Sequence, residues 1–190
     1  FYERYRFGSV FASAVRAPTH LKSRIEAISG VSGVELRIVE PVLLDIVGMK
    51  EPASSIAISI PNHRDAKVNR LYLRKGRLPE PNRGTEVAIV ETFAKAHGFT
   101  PGDHFSAIIN GKKQDLDIVG LVLSPEHIYS IGPGDMVPDP KRFGVFFMSE
   151  KALSGLFNME NSFNDLSVTT MRNANIEQIL GDIDDLLEPY

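Results

Sequence analysis

Apolar residues recur along this chain with two periods, and the switches between them divide it into strands and helices. Ser9 to Val15 has strand composition. After Pro18, Leu21, Ile25 and Ile28 recur at helical spacing before Gly30, which can close the helix in a left-handed conformation. From Val34 to Val47 the positions Val34, Leu36, Ile38, Val42, Leu44 and Ile46 are apolar, while Glu35, Arg37 and Asp45 fall on the other face. This period of two predicts one long strand, with Pro41 forcing a bulge or an edge position. Ile56, Ile58 and Ile60 alternate with Ser55, Ala57 and Ser59 and predict a partner strand that stops at Pro61-Asn62.

The stretch from Gly76 to Arg83 is rich in Gly, Pro and Asn and reads as a connection. Glu86 to Val90 then predicts a strand, and Glu91 to His97 a short helix closed by Gly98. Phe105, Ala107 and Ile109 lead into Asn110-Gly111, a strong hairpin signal, with Leu116, Ile118 and Val122 continuing beyond it. Ser130 to Lys141 carries three prolines and two glycines and predicts a long loop. Phe143 to Met148 suits a buried strand, and Ser149 can cap a helix reaching Phe157. The closing segment returns to the opening style. Leu166 to Met171 predicts a strand, and Asn175 with Gln178 caps an amphipathic helix carrying Ile176, Ile179, Leu180, Ile183, Leu186 and Leu187. Its other face holds Glu177, Asp182, Asp184, Asp185 and Glu188, which predicts electrostatic pairing with the basic opening of the chain. The expected fold class is α+β with two lobes. Residues 1–75 with 163–190 form a βαβ-rich lobe from both chain ends, and residues 76–162 form an inserted, mainly β lobe.

Composition narrows the function. The chain has 190 residues, 43% of them hydrophobic, which is enough for one large core or two small ones. A net charge of -3 leaves no global basic field, so nucleic acid is not an expected partner. The absence of cysteine excludes disulfides, thiolate metal sites and cysteine nucleophiles. The five histidines show no metal-binding spacing, no GxSxG elbow occurs, and Gly132-Pro133-Gly134 precedes a loop rather than a phosphate-binding helix. Catalytic, cofactor and metal residues are therefore all assigned as none, and the chain is expected not to be an enzyme. Asp103, after Pro101-Gly102, reads as a turn residue, and Arg77 as either a structural arginine or an anion contact. The apolar runs are far below the ~20 residues a membrane span needs. The opening Phe1-Tyr2-Glu3-Arg4-Tyr5-Arg6-Phe7 nevertheless mixes rings and arginines as chains do where they leave a membrane.

The series Gly76-Arg77-Leu78-Pro79, Glu86 to Val90, Phe93-Ala94, Gly98, Pro101-Gly102-Asp103, Asn110-Gly111 and Ile118-Val119-Gly120 resembles, in order and spacing, the MacB-like periplasmic core domain of FtsX-like ABC transporter permeases. Ser124-Pro125-Glu126 and Phe163-Asn164-Asp165 resemble one subgroup of export permeases. The resemblance implies an extracytoplasmic domain on the periplasmic face of the inner membrane, coupling ATP-driven movement of transmembrane helices to an exported or extracted substrate or a periplasmic partner. It implies no cofactor in the domain, with ATP on a separate cytoplasmic ATPase subunit, and a second permease copy, a periplasmic protein or lipophilic cargo as further partners. Both chain ends are then expected on one side of the first lobe. The alternatives are a secreted periplasmic ligand-binding protein or hydrolase, and a cell-division FtsX-type domain regulating a wall hydrolase. Because Tyr, Met and Arg are enriched at interfaces and recognition is commonly carried by loops, Tyr129, Met136, Val137 and Arg142 are the expected cargo or partner contacts.

Overall fold

The computed structural model describes residues 8–128, 132 and 136–190. The chain builds two sheets. In the smaller one, β1 (Val10–Pro18) and β2 (Val31–Arg37) flank β10 (Ser162–Thr170), all antiparallel. Helix α1 (Lys22–Glu26), entered through a 3-10 turn at Thr19–Leu21, and helix α4 (Ile176–Leu187) cover one face of this sheet. Val10, Leu21, Ile25, Val34, Leu166, Val168, Ile179 and Ile183 form its core. Asn175 accepts a hydrogen bond from the Gln178 N–H, and this cap starts α4 where the sequence predicts it.

The larger sheet runs β5-β8-β6-β9-β4-β3-β7, from strands β3 (Val39–Asp45), β4 (Ala53–Ile60), β5 (Tyr72–Gly76), β6 (Glu86–Val90), β7 (His104–Ile109), β8 (Lys112–Leu123) and β9 (Phe143–Ser149). β8 is used twice. Its first half pairs with β7 and its second with β6, so the sheet curls until six strands close into a ring and β5 adds to the outside of β8. Helices α2 (Glu91–His97) and α3 (Glu150–Phe157) pack on it. Every residue of β6 and β9 is buried, as their unbroken apolar runs require. Phe93, Phe99, Phe105 and Phe146 stack ring to ring across this core, with centroids 6.0–6.3 Å apart.

The α+β class is as expected, but the strands are shared out differently. The single strand predicted over Val34 to Val47 is two, because the chain leaves the small sheet at Arg37 and enters the large one at Val39. The parity of the pattern is unbroken across Ile38, which is itself buried, so nothing in it marks a change of sheet. The expected first lobe of 1–75 with 163–190 is therefore corrected. β3, β4 and β5 belong to the large sheet, where β4 lies between β3 and β9, and the small sheet keeps only residues up to 37 and those from 162 onward. Pro41 sits where β3 has β4 on one side and no strand on the other, since β7 covers only Leu43–Asp45.

The expectation for the two chain ends turns on residues 1–7 and so lies outside the described residues; the described part begins and ends at separate points of β1. The Ser9 N–H donates to the Val168 carbonyl, whereas the Tyr190 carbonyl accepts from the Val15 and Arg16 N–H groups further along β1. Six residues of strand put these points about 20 Å apart. The physical reason is α4, whose 12 residues run back along the sheet and carry the C-terminus away from Gly8. No ion pair joins the acidic face of α4 to the basic opening among the described residues, although Arg24 shares a shallow hollow with Asp182 and Asp185.

Two glycines of the resemblance series hold the outer strand. β5 ends at Gly76, paired in register with Gly120 of β8. A Cβ on Gly76, which has φ +74, would meet the Val119 carbonyl oxygen at 2.2 Å, and one on Gly120 would meet the Arg77 carbonyl oxygen at 2.1 Å. Only glycine permits this backbone approach. Gly120→Ala is expected to cost at least about 3 kcal/mol in urea unfolding, while Gly84→Ala, where a Cβ meets nothing within 4 Å, should stay within about 0.5 kcal/mol. Equal losses at both positions would refute the close-approach explanation.

Candidate functional site

The two cores do not merge, and what joins the sheets is polar. Gly33, Glu35 and Arg37 of β2 stand opposite Thr169, Ser167 and Asp165 of β10, on the face of the small sheet turned away from α1 and α4. An exposed polar face would be the ordinary reading of this alternation. Instead Glu35 and Arg37 are 2% and 7% exposed, because two segments of the larger body cover them. One is the connection between β4 and β5, residues 61–71. The other is the turn after β8, residues 124–128.

The turn supplies Glu126. Arg37 donates from Nη1 and Nη2 to the Glu126 carboxylate as a bidentate pair, the second contact at 3.0 Å, and from Nε to Asp165 Oδ1 at 2.6 Å. Burial works against the charge on Arg37, but the Glu126 and Asp165 carboxylates outweigh it and raise its pKa further. The cluster holds two carboxylates against one guanidinium. Burial accordingly raises the Asp165 carboxyl, with Arg37 pulling the other way and Glu126 adding to the rise. Glu126 and Asp165 lie in the two short motifs, Ser124-Pro125-Glu126 and Phe163-Asn164-Asp165, that the sequence set apart, and the fold brings both onto one arginine.

The 61–71 connection is a strap. Arg64 donates to both oxygens of Glu35 at 3.0 and 2.5 Å, and the Lys67 N–H donates to the same carboxylate at 2.6 Å. Val68 is buried against Gly8 and Gly33, and Asn69 accepts from the Gly8 N–H at 2.8 Å while donating to Ser167 Oγ at 3.3 Å. A third fastening comes from Asn164, whose side chain accepts from the Val39 N–H at 2.8 Å and donates to the Val39 carbonyl and to Glu40 Oε1, each at 3.0 Å. It pairs with β3 much as a strand residue would.

The other candidates resolve as structural. Arg77 is bidentate on Glu86, which is 5% exposed, and donates to the Leu78 carbonyl. Asp103 Oδ2 accepts from the Thr100 N–H at 2.8 Å and closes its turn. Ser124 Oγ lies 3.1 Å from His127 Nδ1, and burial lowers the imidazole pKa, with Arg37 adding to this and Glu126 opposing it. Glu126 is spent on Arg37, so these three residues are not ordered as nucleophile, base and orienting acid. No group of His, Asp and Glu able to hold a metal occurs among the described residues.

Of the expected contact residues, Tyr129 lies outside the described residues. Met136 and Val137 are 95% and 71% exposed. Arg142 is tied to Glu51 at 3.0 Å, and its carbonyl accepts from the Ser54 N–H. Arg142 thus anchors the loop to the start of β4. Sequence reasoning missed Arg37, Glu35 and Arg64 as a joint, since each looks like a surface charge in an alternating or loop segment.

No family model matches the sequence, and none of the curated proteins does. Solved structures do match. The extracellular domain of the noncanonic ABC-type transporter YknZ from Gram-positive bacteria superposes with a TM-score of 0.56 at 17% identity, covering 92% of this chain and 83% of that one. The periplasmic region of MacB from Actinobacillus actinomycetemcomitans gives 0.52 at 13% identity, covering 91% and 73%. The chain has the fold of the extracytoplasmic domains of ABC transporter permeases. In particular it has the MacB-like arrangement that the motif series implies. No helix among the described residues is long and apolar enough to cross a membrane.

Arg37→Met is expected to lose about 3–5 kcal/mol in urea unfolding at neutral pH, because two part-buried carboxylates are left uncompensated. The loss should shrink on acidification as Asp165 takes up a proton, and a loss independent of pH would refute this account. In the native chain the Asp165 pKa lies above its unfolded value, so between the two the folded state holds a proton the unfolded chain has released. Stability from this group therefore falls as pH rises through that window and returns on acidification. Asp165→Asn should flatten this part of the stability profile, and an unaltered profile would assign the slope elsewhere.

Proposed function

We propose that this chain is the extracytoplasmic domain of an ABC transporter permease subunit, held at the periplasmic face of the inner membrane. It passes ATP-driven movement of the transmembrane helices to a substrate being exported or extracted, or to a periplasmic partner protein. The observation that carries the reading is the construction of the domain, a fold matched by permease domains in which two separately cored bodies meet through a polar joint. Apolar cores resist sliding because they are close-packed, whereas small polar interfaces between bodies permit relative motion. ATP is hydrolysed on a separate cytoplasmic ATPase subunit, and the full-length permease works beside a second copy. The domain itself performs no catalysis. Met136, Val137 and Arg142, all exposed, are assigned with Tyr129 to contact with cargo or partner.

The test uses the full-length gene product in membranes with its co-purifying subunits. Spin labels at Val15 on the small sheet and at Val47 in the turn that follows β3 of the large one, 87% and 101% exposed, should report a distance distribution that differs between ATP-trapped and nucleotide-free complexes. A full-length protein that is secreted, carries no membrane segment and retains no ATP-hydrolysing subunit overturns the proposal. Photocrosslinking from position 136 should give a specific adduct. Adducts from the small sheet alone would move recognition there.

A further inference from the structure

The strap does more than cover Glu35. Between it and the outer strand β5 lies a cavity of about 520 Å³, in the size range of pockets that bury a small molecule. One wall is aliphatic, formed by Leu71, Leu73, Leu78 and Pro79. Leu73 and Leu78 are 41% and 36% exposed, leaving apolar surface facing a hollow that the described residues do not fill. The other wall is the strap itself, with Arg64 and Arg70.

Residues 61–77 hold six cations against the single acid Asp65, but Arg64, Lys67, Arg74 and Arg77 are paired with Glu35, Glu26, Glu91 and Glu86, so the cation the cavity can offer is Arg70. Arg64 is locked on the buried Glu35, but Arg70 is held by Asp65 at 2.6 Å with both side chains more than half exposed. Such an exposed pair contributes only about 0–1 kcal/mol, so another anion can take its place at Arg70.

We propose that the cavity beneath the strap binds an anionic amphiphile, a molecule with one aliphatic body and one anionic head. The body covers Leu73 and Leu78, and the head displaces Asp65 from Arg70. No bond is made or broken. The site is independent of whether the chain belongs to a permease, because every group it needs is in this chain. Occupancy bears on the strap, whose Arg64 both lines the cavity and fastens the small sheet through Glu35.

The test is fluorescence titration of the 190-residue chain with 11-(dansylamino)undecanoic acid, followed by displacement. Dodecanoate or lauroyl lysophosphatidylglycerol should displace the probe, the first marking a free acid and the second a lipid headgroup as the source. Dodecanol and dodecyltrimethylammonium should need at least about tenfold more, since they lack the charge that Arg70 receives. Arg70→Gln and Leu73→Glu should each weaken probe binding about tenfold or more, and Asp65→Asn should tighten it because Asp65 competes for Arg70. Circular dichroism and urea unfolding establish that the variants are folded. Two results would each overturn the proposal: equal displacement by the neutral and cationic competitors, or Arg70→Gln binding within twofold of the parent chain. Because this experiment involves neither membrane nor ATPase, its failure leaves the permease reading standing, and the converse also holds.

Discussion

A buried guanidinium needs carboxylates around it, and Arg37 takes them from two different bodies of the molecule. Asp165 reaches it from the neighbouring strand of its own sheet, while Glu126 arrives from a turn at the end of the longest strand of the other. Satisfying one side chain therefore fixes how the two sheets face each other. Loss of Arg37 would leave two carboxylates facing each other in a site where charge is costly to keep. The strap repeats the device in reverse, with a buried carboxylate on the small sheet held by the Arg64 guanidinium and the Lys67 N–H of the segment that crosses it. Between these fastenings the interface carries hydrogen bonds and charge, with Val68 its principal apolar inclusion.

This division of labour explains how a chain of modest hydrophobic content sustains two cores. The closed six-stranded ring is rigid because nearly every strand in it has two neighbours and its interior is filled by aromatic and branched side chains. The three-stranded sheet has helices on one face only and depends on the larger body for cover on the other. The likeness to the YknZ and MacB domains extends over both sheets, covering 92% and 91% of the chain at identities of 17% and 13%.

Much of this was legible from local pattern. Glu86–Val90 followed by Glu91–His97 and Gly98, the Asn110-Gly111 hairpin, and the caps at Ser149 and Asn175 all fall where the residues predict them. Each is decided within a few residues by φ preference, capping or alternation. The change of sheet at Ile38 was not legible, because a strand pattern reports which face is apolar and not which neighbour lies beside it. The joint was hidden for a related reason. Glu35 and Arg37 owe their burial to Arg64, Glu126 and Asp165, partners 29 to 128 positions away, and an alternating charge in a strand has the same appearance whether water or another body covers it. Only the two short motifs around Glu126 and Asp165 hinted at it, through resemblance rather than through any physical signal of pairing.

The fastening of β3 by Asn164 has a consequence for solubility. A strand whose outer side lacks a neighbour invites strands from other molecules, which is how sheets join into aggregates. On β3 the stretch ahead of Leu43 is so placed. Its Val39 donor and acceptor are both occupied by the Asn164 amide, and Pro41, two residues on, has no N–H to offer. The template is thus closed at alternate positions by a side chain and a ring, and copies crowded side by side are kept from adding strands to one another along that edge.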